Sequence, residues 1–90
     1  MNADPSILES DNRAQTLKLS ELRVGETARI VAVDGSGAIL QRILELGLLP
    51  GKEVRLVRVA PLGDPIEICV MGYNLSLRKS EAALIRVETA

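Results

Sequence analysis

The apolar residues of this chain change period once, and that single change limits the folds open to it. Ile39, Leu40, Ile43, Leu44 and Leu46 recur at helical spacing, with Gln41, Arg42 and Glu45 on the opposite face. Elsewhere the apolar residues form short runs of strand type bounded by glycine and proline. One amphipathic helix, near Ala38 to Leu46, is therefore inserted into a chain otherwise patterned as strands. Ninety residues hold one domain with a modest core and leave no room for a second.

Ala28 to Val33 reads as the first strand and ends at Asp34-Gly35-Ser36-Gly37. Gly47 is placed to cap the helix, and Pro50-Gly51 suits a type II turn into the next strand. Glu53 to Ala60 and Ile66 to Met71, joined by the proline-bounded Pro61 to Pro65, read as an antiparallel hairpin. In the second of these, Ile66, Ile68 and Val70 share the core face, which leaves Cys69 on the outer or edge face. Alternation then puts Tyr73, Leu75 and Leu77 together on the buried side. A last strand runs from Leu84 to Val87, and Ser20 and Ser80 are suited to cap single helical turns.

About five short strands with one inserted helix predict a mainly β fold, a small barrel whose closure removes exposed edges. The polar segment Met1 to Thr16 is read as a flexible tail, and residues 17–90 as the domain. That segment lacks the basic start and apolar run of a signal peptide, so no export is expected. No apolar stretch approaches the roughly 20 residues that span a bilayer, so no direct membrane insertion is expected.

The charge balance narrows the function classes. Lysine and arginine total 11 against 12 acidic residues, a net charge of −1, which supplies no electrostatic footprint for nucleic acid. With no histidine, Ser20, Ser36, Ser76 and Ser80 lack an imidazole base, and no enzyme is expected. Cys69 is the sole cysteine and has no second thiol for a metal centre or a disulfide. No cofactor is expected. Weak association of a divalent ion such as iron with Asp34, Asp64 or Glu67 is the metal reading that the residues leave open, against ordinary solvated carboxylates.

The run from Gln41 to Gly51, Gln-Arg-Ile-Leu-Glu-Leu-Gly-Leu-Leu-Pro-Gly, resembles the most recognisable segment of FeoA proteins. Ala60 to Pro65 and Gly72 to Arg78 resemble the family pattern in the same order, as does Leu19 to Gly25. The resemblance spans roughly Leu17 to Val87. It implies an SH3-like barrel, a cytoplasmic location and an accessory role beside FeoB, the membrane permease for ferrous iron. A related domain ends iron-dependent repressors, so an iron-responsive regulatory domain is the alternative. Tyr73 is the only aromatic residue, and the proline-rich peptide recognition of SH3 domains, which needs several rings, does not carry over.

Leu48, Leu49 and Leu62 lie in or beside turns, where a mere connection would use polar residues. They are the candidate partner-binding residues, with plugs for the barrel ends as the competing reading. Self-association into a homo-oligomer is also open.

Overall fold

The structure, a computed structural model, describes residues 15–89. The expected polar tail lies outside the described residues up to residue 14. Its last two residues, Gln15 and Thr16, belong to a strand that sequence patterning does not reveal.

Six strands form one antiparallel sheet: β1 (Gln15–Lys18), β2 (Thr27–Val33), β3 (Glu53–Val59), β4 (Ile66–Val70), β5 (Tyr73–Leu77) and β6 (Ile85–Thr89). Helix α1 (Gly37–Glu45) sits between β2 and β3, and the single-turn α2 (Lys79–Ala82) between β5 and β6. The strand order is β1-β6-β2-β3-β4-β5. Register shifts between Ile30 and Ala32 in β2 and between Leu56 and Arg58 in β3 are bulges, which raise the local twist and roll the sheet around its core.

That core takes the inward-facing residues of both halves. Ile30, Val54, Leu56, Ile68, Ile85 and Val87 are all buried, closed by Leu19 from a 3-10 turn (Leu19–Glu21) and by Ile43 from α1. β4 follows its expected alternation: Ile66, Ile68 and Val70 are buried, while Glu67 and Cys69 are half-buried on the other face. The Pro50-Gly51 turn also forms as expected, with Lys52 N–H donating to the Leu49 carbonyl at 3.1 Å and Gly51 at φ +95°.

Three local expectations are corrected. Neither serine caps its turn. Both turns start earlier than expected, with Lys18 and Arg78 at the N-cap, so Ser20 and Ser80 fall inside them. Glu21 Oε1 accepts from Lys18 N–H at 2.8 Å and Glu81 Oε1 from Arg78 N–H at 2.9 Å. Tyr73 is 45% exposed, because β5 is an edge strand with cover on one flank only. The sheet is also not sealed: among the described residues β1 and β5 each pair on one side only.

Candidate functional site

The end of α1 decides where the candidate leucines go. Gly47 N–H donates to the Leu44 carbonyl at 3.0 Å and Leu48 N–H to the Ile43 carbonyl at 3.4 Å, with Gly47 at φ +92°. This pair of bonds is the Schellman motif, in which the residue after the glycine folds back against the last turn. Leu48 and Ile43 are accordingly both 0% exposed. The expectation that Leu48 meets a partner is thus overturned, and it is a core plug. The Leu-Gly-Leu order after an amphipathic helix was the signal for that burial.

Leu49 leaves the motif in the other direction. Its N–H donates to the Gly47 carbonyl at 3.0 Å, and its side chain is 40% exposed. A Cβ on Gly47 would stand 2.7 Å from Met71 Cε and 3.3 Å from the Tyr73 hydroxyl, so the start of the β4–β5 hairpin rests directly on this glycine. The Tyr73 hydroxyl donates to the Leu46 carbonyl at 2.9 Å and satisfies an orphan acceptor at the helix end. Met71 and Tyr73 therefore meet over Gly47 and Leu49 follows it by two residues, and all three side chains are exposed. Sequence reasoning missed Met71, whose exposure follows from its place in a two-residue turn at φ +52°.

Leu62 is 96% exposed but sits in the β3–β4 loop. Leu49 precedes β3 and Leu62 follows it, so seven residues of strand, roughly 20 Å, separate the two. They are not neighbours. The loop beside Leu62 overhangs a cleft of about 340 Å³ bordered by Arg58, Val59, Pro61, Pro65, Ile66 and Ser76.

The carboxylates considered for a divalent ion are dispersed and engaged. Asp34 takes a two-pronged contact from Arg86 at 3.2 Å, Asp64 accepts from Lys79 N–H at 2.9 Å, and Glu67 contacts Arg58 at 3.1 Å and the Asn74 amide at 3.1 Å. Among the described residues no three acidic or sulfur ligands converge. Beside Gly47 the exposed side chains are instead Met71 and Tyr73, on a backbone fixed by the motif and the turn.

Comparison with known proteins agrees with this architecture. Residues 17–89 match the FeoA domain family. A fusion of Fe(2+) transport protein A with the Fe(2+) transporter FeoB from Porphyromonas gingivalis is 49% identical over 72 residues, 80% of this chain. The match spans 8% of that relative's length. The FeoA-like protein of Clostridium acetobutylicum superposes with a TM-score of 0.78 at 33% identity, over 83% of this chain and 87% of that one. Stenotrophomonas maltophilia FeoA, solved with zinc and described as a prokaryotic SH3 domain protein with a suggested role in activating ferrous iron transport, superposes with a TM-score of 0.68 at 36% identity. It is covered over 88% of its length by 81% of this chain. The rolled six-stranded sheet with its helix after β2, the Leu-Gly-Leu-Leu-Pro-Gly segment and these matches agree: the chain belongs to the FeoA domain family, with an SH3-like fold.

Proposed function

We propose that this protein is a cytoplasmic accessory factor of ferrous iron uptake that docks on the cytoplasmic part of a FeoB-type permease through Leu49, Met71 and Tyr73. Docking biases the permease between conformations, which requires only that the surface fit one of them better. The observation that carries the reading is the set of exposed apolar side chains at one end of the sheet, Met71 and Tyr73 over Gly47 and Leu49 two residues on, in a family of which one member is fused to FeoB. Fusion keeps the two parts together at high effective concentration, an arrangement useful to partners that touch. Leu62 enters as a separate contact at the far end of β3.

The test is titration of the permease's cytoplasmic part with wild-type, Leu49→Ser and Leu62→Ser proteins, with a melting curve for each. An anchoring Leu49 costs about 2 kcal/mol when truncated, roughly thirtyfold in affinity, with the melting temperature nearly kept. Leu62→Ser is expected to cost no more than about threefold, as for a rim residue. Equal binding by Leu49→Ser contradicts the reading. So does tight stoichiometric binding of ferrous iron under anoxic conditions without permease binding, the result that an iron-responsive regulatory domain would give.

A further inference from the structure

Among the described residues β5 ends the sheet, and its open flank is defined by the hairpin that precedes it. Met71 and Gly72 both have positive φ, 52° and 85°, the signature of a two-residue type I′ turn. Val70 and Tyr73 flank the turn and exchange hydrogen bonds, and the antiparallel pattern repeats this at Ile68 with Leu75 and Ile66 with Leu77. Asn74 and Ser76 therefore turn their N–H and C=O groups away from β4. Outside the ladder, no described residue bonds to those backbone groups.

Exposed edges are ordinarily guarded by lysine, proline or a bulge. β1, the opposite edge, carries Lys18. β5 reads Tyr-Asn-Leu-Ser-Leu, with no charge and no proline, and its pairing with β4 is unbroken over all five residues. It begins at Tyr73, which also meets Met71 over Gly47. Ser76, at its other end, borders the cleft walled by Val59, Pro61 and Pro65.

We infer that β5 is a strand-addition site that takes an extended segment of the permease's cytoplasmic part, pairing with Asn74 and Ser76 while its neighbouring apolar side chains cover Met71 and Tyr73. The inference rests on the permease-docking reading and specifies its backbone chemistry. A second copy of this chain is the weaker occupant. Five residues of edge bury far less than the roughly 1,200 Å² of a stable association between free partners, whereas a strand that continues into the Leu49 contact adds to it.

Ser76→Pro removes one outward N–H and leaves the β4 ladder intact; Ser76→Thr keeps the N–H and changes the side chain. Both are titrated with the permease's cytoplasmic part, beside amide hydrogen exchange of the wild-type protein alone and bound. The expected result is a loss on the order of tenfold for Ser76→Pro, near-wild-type affinity for Ser76→Thr, and protection of the Asn74 and Ser76 amides only in the complex. If Ser76→Pro fails to fold, the exchange data decide. Unprotected amides in a complex that Leu49→Ser weakens overturn the edge inference and keep the docking surface. Protection that grows with protein concentration in the absence of permease assigns the edge to a second copy and also overturns it. No binding by wild-type protein overturns both.

Discussion

Arg42 Nε donates to Glu81 Oε2 at 2.9 Å, joining α1 to α2 across 39 residues of chain. Glu81 is the one buried charged side chain among the described residues. Its other oxygen accepts the Arg78 N–H at the start of α2, so one carboxylate both caps a helix and anchors the α1 segment that ends in Gly47. Glu81→Ala is expected to cost about 2 kcal/mol, a melting-temperature drop of several degrees. Arg42→Ala is expected to cost less, because Arg42 is half-exposed and water replaces part of the interaction. The two losses should be less than additive in a double-mutant cycle, and additive losses contradict the coupling.

Leu48 and Leu49 are adjacent in sequence and opposite in role. Leu48→Ala empties a site with no solvent access and is expected to cost 2–5 kcal/mol, estimated as roughly the range for buried leucines. Leu49→Ala should stay within about 1 kcal/mol, because the side chain already meets water. Chemical denaturation of the two variants checks this, and comparable losses would show that the turn does not divide them.

Much of this division was legible in the chain itself. β2 and β3 follow from their β-branched apolar runs and their glycine and proline boundaries, β4 and β5 from period-two alternation, and α1 from the one helical period, although β2 is covered on one face and not on both. β1 was not legible, because Gln-Thr-Leu-Lys has a single apolar residue and becomes a strand only by pairing with β6, more than 60 residues away. Tyr73 was misplaced because alternation fixes the face of a strand but not whether anything covers that face at an edge. Leu48 was misassigned although its signal was present, since a capping glycine followed by leucine implies the fold-back contact. The meeting of Met71 and Tyr73 over Gly47 could not be read from sequence, because Gly47 and Met71 meet only once the sheet is assembled.

Gly47 should tolerate no side chain. At φ +92° a Cβ is strained regardless of space, and here it also meets the flexible end of Met71 at 2.7 Å. Gly47→Ala is expected to lower stability by about 1–2 kcal/mol. In a Met71→Ala background only the steric part should be relieved, so most of the loss should persist. Full recovery in the double variant, read from denaturation midpoints, would mean that contact and not backbone strain dominates.

The docking surface can be mapped residue by residue. Backbone and methyl NMR spectra of the labelled protein, recorded with and without the permease's cytoplasmic part, report which residues meet it. The account requires the largest changes at Leu49, Met71 and Tyr73 and along β5, with smaller ones at Leu62 and none beyond background at the buried core of β6. Changes confined to the Leu62 loop or to β1, or no changes at concentrations well above micromolar, would contradict it.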